Sequence, residues 1–327
     1  MVTLALASTL LFARVRDPAL PDVPQQLVNL FEAHEYVAGG QRFHYRLFVP
    51  RNLQPTKRYP LLLWLHGAGQ GGMDNRENLM YLQAVFSDLN HPEKYRFFIL
   101  VPQCPSEDIV WTTNLGAEGD RHIFRSSDVS RQDSTTDRKM SQSPAPANDM
   151  LTVTHQIFQK TMQEQPVDPD RIYLLGVCSR GNGCWEMAMR YPEMFAAVVP
   201  TTPGGGDVSQ AGRLINIPIW AFHNKDAEPE GTIEMVAAVQ RAGGNIHLTL
   251  QQSSEHDSWD LAIKRYDIMN WMLEQRRGQW ICWWPPGCRG WRWWHILGVP
   301  LAFLSIVCLG WYSEKRRRNS SRPKGTL

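Results

Sequence analysis

Several runs of this chain are apolar from end to end rather than alternating: Tyr59-Pro-Leu-Leu-Leu-Trp-Leu-His66, Phe97-Phe-Ile-Leu-Val-Pro102, Phe195-Ala-Ala-Val-Val-Pro200 and Pro218-Ile-Trp-Ala-Phe-His223. A strand covered on one face alternates apolar and polar residues. An unbroken apolar run needs both faces covered, as in a parallel sheet with helices packed on either side. Arg171-Ile-Tyr-Leu-Leu175 and His247-Leu-Thr-Leu250 read as further strands, and Phe31 to Pro50 as two strands around the turn Gly39-Gly40. Helical stretches at Asp149–Gln165, from Cys184 to Arg190, Thr232–Ala242 and Trp259–Arg276 separate them. Strands alternating with helices predict the α/β class, with a mostly parallel, doubly wound sheet.

The 327 residues leave room for one large domain, expected over 28–277, plus appendages. A formal net charge of +2 points to no nucleic-acid partner. The cysteines, Cys104, Cys178, Cys184, Cys282, Cys288 and Cys308, lack C-x-x-C pairing, so no metal site is expected. From 105 to 148 the chain turns polar, as in Arg125-Ser-Ser-Asp-Val-Ser-Arg-Gln-Asp. This insertion reads either as a lid beside a site or as a plain disordered segment.

Chemistry concentrates after the strand at Arg171–Leu175. Gly176-Val-Cys178-Ser179-Arg180-Gly181 stands between that strand and a helix, the context of a sharp turn that presents a nucleophile. The usual pattern is Gly-x-Ser-x-Gly; here the centre is Cys178, and Arg180 stands where the second glycine is expected. Ser179 is the rival nucleophile. A tight turn wants small residues two before and two after the nucleophile. The Cys178 register supplies Gly176 and Arg180, the Ser179 register Val177 and Gly181, so each meets half the requirement. In such a fold the partners follow in the order acid, then histidine. Asp226, after the strand ending at His223, and His256, in Ser253-Ser-Glu-His-Asp-Ser-Trp259, occupy strand-end loops in that order. His66-Gly-Ala-Gly69 follows an early strand and offers backbone N–H groups to an oxyanion. Ala68 and Ser179 are the candidate donors, and His66 reads as structural. Trp111 and Trp259 are candidate walls of a substrate pocket, with simple packing as the alternative.

Seven separated motifs carry a resemblance: Tyr45-Arg-Leu-Phe-Val-Pro50, Leu65-His-Gly-Ala-Gly69, Val101-Pro-Gln-Cys-Pro105, Asp168-Pro-Asp-Arg-Ile-Tyr173, Ala196-Ala-Val-Val-Pro200 with Gly204-Gly-Gly-Asp207, Ala221-Phe-His with Lys225-Asp226, and His256-Asp-Ser-Trp259. In order and in content they resemble α/β-hydrolases of the polyhydroxybutyrate-depolymerase-like and feruloyl-esterase-like group, allied to prolyl oligopeptidase domains, over about Phe31 to Glu274. The resemblance implies the α/β-hydrolase fold, a Ser-Asp-His triad and cofactor-free hydrolysis of carboxylic esters, including polymeric or acylated-saccharide substrates. Laid on Asp170-Arg-Ile-Tyr without a gap, the family's serine falls on Cys178, and the turn is also similar to the Gly-x-Cys-x-Gly-Gly of dienelactone hydrolases. A thiol beside a histidine is readily ionised and strongly nucleophilic. Arg180 either lowers that thiol's pKa further or crowds the turn, so an inactive pseudo-hydrolase that binds a ligand or partner stays open beside the enzyme.

The chain ends suggest a membrane protein. Residues 1–20 include Val2-Thr-Leu-Ala-Leu-Ala-Ser-Thr-Leu-Leu-Phe-Ala13, read as a signal peptide without a basic n-region or as an apolar extension. Seven of the thirteen tryptophans lie from Trp280 onward, in a linker at 278–295 and around 291–312. The latter carries a long uncharged run with Trp and Tyr at its ends, the pattern of a transmembrane helix with interfacial aromatics. The basic tail 313–327, with Lys315-Arg-Arg-Arg318, then predicts a cytoplasmic C-terminus and an extracytoplasmic catalytic domain. In such a compartment Cys282 and Cys288 are spaced to close a disulfide.

Overall fold

The computed structural model describes residues 22–67, 69–86, 88–106, 111, 149–177, 182–252 and 258–279. All of them belong to one compact unit, Met1–Trp280. The expected signal segment, nearly all of the polar insertion, the juxtamembrane linker from 280 on, the 291–312 helix, the basic tail and the Cys282–Cys288 pair lie outside the described residues. Among the described residues no helix is long and apolar enough to cross a membrane.

The strands are β1 (Phe31–Ala38), β2 (Gln41–Phe48), β3 (Tyr59–Leu65), β4 (Phe98–Pro102), β5 (Val167–Val177), β6 (Ala197–Thr201), β7 (Ile219–Asn224) and β8 (Ile246–Gln251). They form one sheet in the order β1-β2-β4-β3-β5-β6-β7-β8. β1, β2 and β4 pair antiparallel, and every pair from β4 through β8 is parallel. Burial follows this layout. All residues of β3, β4, β6 and β7 are buried, whereas in β1, at one edge, only Phe31 is buried. The α/β prediction therefore holds because two-sided coverage demands unbroken apolar strands.

The helices are α1 (Gln25–Val28), α2 (Met150–Glu164), α3 (Asn182–Arg190), α4 (Glu230–Arg241), α5 (Ser258–Tyr266) and α6 (Ile268–Glu274). Asp149 caps α2, its carboxylate accepting from the Thr152 N–H at 3.1 Å. The same carboxylate, almost wholly buried, pairs with Arg190 at the end of α3, and Arg190 also holds Glu186 at 2.7 Å. The start of α2 is thereby tied to the end of α3, the helix that follows the expected nucleophile turn. Asp149 needs that guanidinium, since an uncompensated buried carboxylate costs several kcal/mol.

Two sequence expectations need correction. β5 begins at Val167, four residues earlier than Arg171, although Asp168-Pro169 has the composition of a turn. A register shift between Tyr59 and Leu61 of β3 accommodates the irregular start, and Asp168 and Asp170 accept ion pairs from Arg276 and Arg277 at 2.8 and 2.9 Å. The second correction concerns the single closing helix expected at Trp259–Arg276, which is two helices broken at Asp267 in the left-handed region, φ 52°. Tyr266 and Trp271 both set their rings against Trp220, at 6.1 and 5.5 Å. In one continuous helix, residues five apart point about 140° away from each other. The break lets both reach one indole, and Asp is among the residues that tolerate the left-handed turn.

His155 of α2 stacks on Tyr191, with centroids 3.9 Å apart and planes 11° off parallel. Burial holds its pKa below the usual histidine value, as it does for His247 on β8. The unfolded chain takes up protons near pH 6.5 that the folded chain resists, so both groups contribute stability present above that pH and lost as pH falls below it. His155→Phe keeps the stack and removes the titration. Its urea midpoint is expected to drop less than that of the wild type between about pH 7.5 and about pH 5.5. An equal drop in both proteins would clear His155 of any part.

Candidate active site

Because β3, β5, β6, β7 and β8 run parallel, their C-terminal ends gather along one edge. Leu65 pairs with Gly176, Val177 with Thr201, Thr201 with Phe222 and Asn224 with Gln251. Beyond those positions lie His66-Gly67, Thr202 and Lys225-Asp226, the loops in which this fold class carries its reactive groups.

Of the predicted triad, Asp226 is described. It is exposed, in the turn just past β7, and the preceding Lys225 N–H donates to the Gln251 carbonyl at 2.9 Å. The acid candidate and the end of β8 are thus neighbours. Cys178, Ser179, Arg180, His256 and Ala68 lie outside the described residues.

The frame around the expected nucleophile turn is described. A Cβ placed on Gly176 would lie 2.6 Å from the Cβ of Cys184, so β5 and α3 meet with no room for a side chain. A Cβ on Gly183 would lie 2.3 Å from that of Trp111, and one on Gly204 would lie 2.5 Å from Oδ1 of Asn182. Three elements therefore crowd the first turn of α3 from three sides.

The loop after β3 is held by a fully buried histidine. Nε2 of His66 accepts from the Cys104 N–H at 3.0 Å, and Nδ1 lies 2.8 Å from the Gly67 carbonyl. An amide N–H can only donate and a carbonyl can only accept, which assigns the neutral Nδ1–H tautomer. Trp111 packs its ring 4.9 Å from that imidazole and donates Nε1–H to the His66 carbonyl at 2.8 Å. Trp111 is itself fully buried. Trp259, one residue into α5, packs at a 42° tilt against Tyr81, with ring centroids 4.5 Å apart, and lines a cleft of about 920 Å³ together with Met80, Phe86, Tyr95, Ile263 and Leu273.

Sequence reading missed a buried hydroxyl pair. Thr202, in the left-handed region at φ 44°, is hydrogen-bonded through Oγ1 to Oγ of Ser258, and its N–H donates to the Phe222 carbonyl at 2.7 Å. Ser258 lies two residues past His256 within His256-Asp-Ser-Trp259, so its motif could have flagged it; nothing marks Thr202. Gln70 and Gln251 are also buried at this end of the strands, their side-chain amides without a hydrogen-bond partner among the described residues. Among the described residues no group of three or more His, Cys, Asp or Glu could hold a metal ion.

No protein-family model matches the chain, and no curated protein matches it significantly. Solved structures do. A thermostable esterase is 29% identical with a TM-score of 0.62, the alignment covering 77% of this chain and 64% of that one. A ferulic acid esterase is 14% identical at a TM-score of 0.52, covering 74% of this chain and 97% of that one. The acylaminoacyl peptidase of Pyrococcus horikoshii is 12% identical at 0.52, covering 78% and 43%. The chain thus spans just under two thirds of the esterase and under half of the peptidase. The protein has an α/β-hydrolase-like fold with a mostly parallel sheet. Its structural neighbours are esterases and acylaminoacyl peptidases.

Two outcomes follow from this geometry. Burial pushes the Cys184 thiol well above the usual range, and Cys104 is buried too. Brief iodoacetamide treatment of the native protein at about pH 8 is therefore expected to leave both unmodified in peptide mass maps, since the thiolate is the reactive form. Gly176→Ala forces overlap between β5 and α3 and is expected to destabilise the fold by about 1–3 kcal/mol in urea titration.

Proposed function

We propose that this chain is a membrane-anchored α/β-hydrolase that cleaves carboxylic esters through Cys178, His256 and Asp226. The observation that carries the reading is the close approach at Gly176. With Cys178 as nucleophile, the obligatory small residue falls two positions before it. With Ser179, that position would be Val177, whose side chain is fully buried in the sheet. The likeness at 29% identity to a thermostable esterase supports ester hydrolysis, and the position of Asp226 beside the end of β8 supports its pairing with the histidine that follows that strand.

In this mechanism His256, oriented by Asp226, accepts the Cys178 thiol proton while the sulfur attacks the ester carbonyl. Backbone N–H groups of Ala68 and Ser179 hold the oxyanion. Collapse breaks the C–O bond, and His256 passes the proton to the departing alkoxide, leaving a thioester on Cys178. Water, deprotonated by His256, attacks that thioester; the acid leaves and the thiol is reprotonated. Every step is a proton or acyl transfer and balances without a cofactor. The substrate class is a carboxylic ester, polymeric esters and acylated saccharides included. The run 291–312 anchors the enzyme in the bilayer, with the hydrolase domain outside the cytoplasm and the basic tail inside.

Turnover of p-nitrophenyl esters of short and long acyl chains tests the chemistry. Cys178→Ala is expected to lose about a thousandfold or more, Ser179→Ala far less. Full activity in Cys178→Ala would reject the assignment, and an inactive wild type that still binds an ester would favour the pseudo-hydrolase. Resistance of the full chain to alkaline extraction from membranes tests the anchor.

A further inference from the structure

Trp111 and His66 hold two successive carbonyls of one short loop. The Trp111 indole N–H is donated to the carbonyl of His66 at 2.8 Å, and the His66 ring N–H to the carbonyl of Gly67 at 2.8 Å. A trans peptide is planar, so pinning a carbonyl also fixes the direction of the N–H that follows it. Two pinned carbonyls in a row therefore fix two successive peptide planes immediately past β3. The ring that does the first pinning is not mobile: it is fully buried, lies against His66, and its Cβ fills the space a side chain at Gly183 would need. His66 in turn is set by the Cys104 N–H on its other nitrogen. Trp111 so touches the loop after β3, to which the Ala68 donor of the proposed mechanism belongs, and the first turn of α3, the helix that follows the turn assigned the other donor, Ser179.

We propose that Trp111 is a positioning residue of the oxyanion hole, acting through the His66 and Gly67 peptide planes rather than by lining the substrate pocket. It links the polar insertion in which it stands to the catalytic electrostatics. Donors aligned before the reaction are what make an oxyanion hole effective, so a loosened loop lowers kcat more than substrate binding. The proposal rests on the hydrolase reading of the site, and the test separates the two.

Trp111→Phe keeps an aromatic ring and removes the N–H. In the full chain, kcat for p-nitrophenyl esters is expected to fall about tenfold with KM within about twofold, the size of one lost positioning hydrogen bond. Amide hydrogen exchange is expected to quicken at 67–72 while the rest of the sheet keeps its protection. A raised KM with unchanged kcat would make Trp111 a pocket wall and overturn the proposal. So would unchanged exchange at 67–72, or a loss of protection spread over the whole sheet. Should the wild type itself turn over no ester, the hydrolase reading fails while the exchange measurement still decides whether Trp111 sets the loop.

Discussion

β5 and α3 come so close at Gly176 that a methyl group there would overlap the Cβ of Cys184. The chain can reverse from strand to helix in a few residues only if the two backbones touch, and glycine alone permits that approach. The neighbouring contacts depend on the same first turn of α3. Gly183 admits the Trp111 ring, Gly204 admits Asn182, and Arg190 at the far end of α3 holds the cap of α2. The helix behind the proposed nucleophile is thus located by contacts on several sides.

Strand direction supplies the other half of the site. Parallel strands must end on a common edge, and the register from Leu65 across to Gln251 sets how far each loop projects beyond it. Side chains then take over where the ladder stops: His66 bridges Cys104 and Gly67, and Thr202 joins Ser258. Both are local answers to one problem, that backbone and hydroxyl groups at a buried sheet end need partners once strand pairing has run out.

The central strands were legible because burial on two faces writes an unbroken apolar run into neighbouring residues, a pattern that a half-exposed strand does not carry. The edges of elements were less so. Pro169 between two aspartates looks like a turn, yet β5 runs through it because Arg276 and Arg277 neutralise Asp168 and Asp170. Trp259 to Arg276 contains neither glycine nor proline, so nothing local announces the break at Asp267; a distant ring, Trp220, decides it. Within the candidate site, the position of Asp226 just past β7 was readable from the strand end. Thr202 and the bracket that Trp111 places on His66 were not, because their partners lie 56 and 45 residues away in the chain.

The sequence alone determined the class of fold and the sheet's buried strands, since two-sided burial is a local property of the chain. Tertiary structure decided that no side chain fits at Gly176 where β5 meets α3, which histidine tautomer supports the loop after β3, and that Trp111 is enclosed there with its N–H on the His66 carbonyl. Each depends on distances between segments far apart in the chain, and a distance of that kind exists only once the sheet has brought them to one edge.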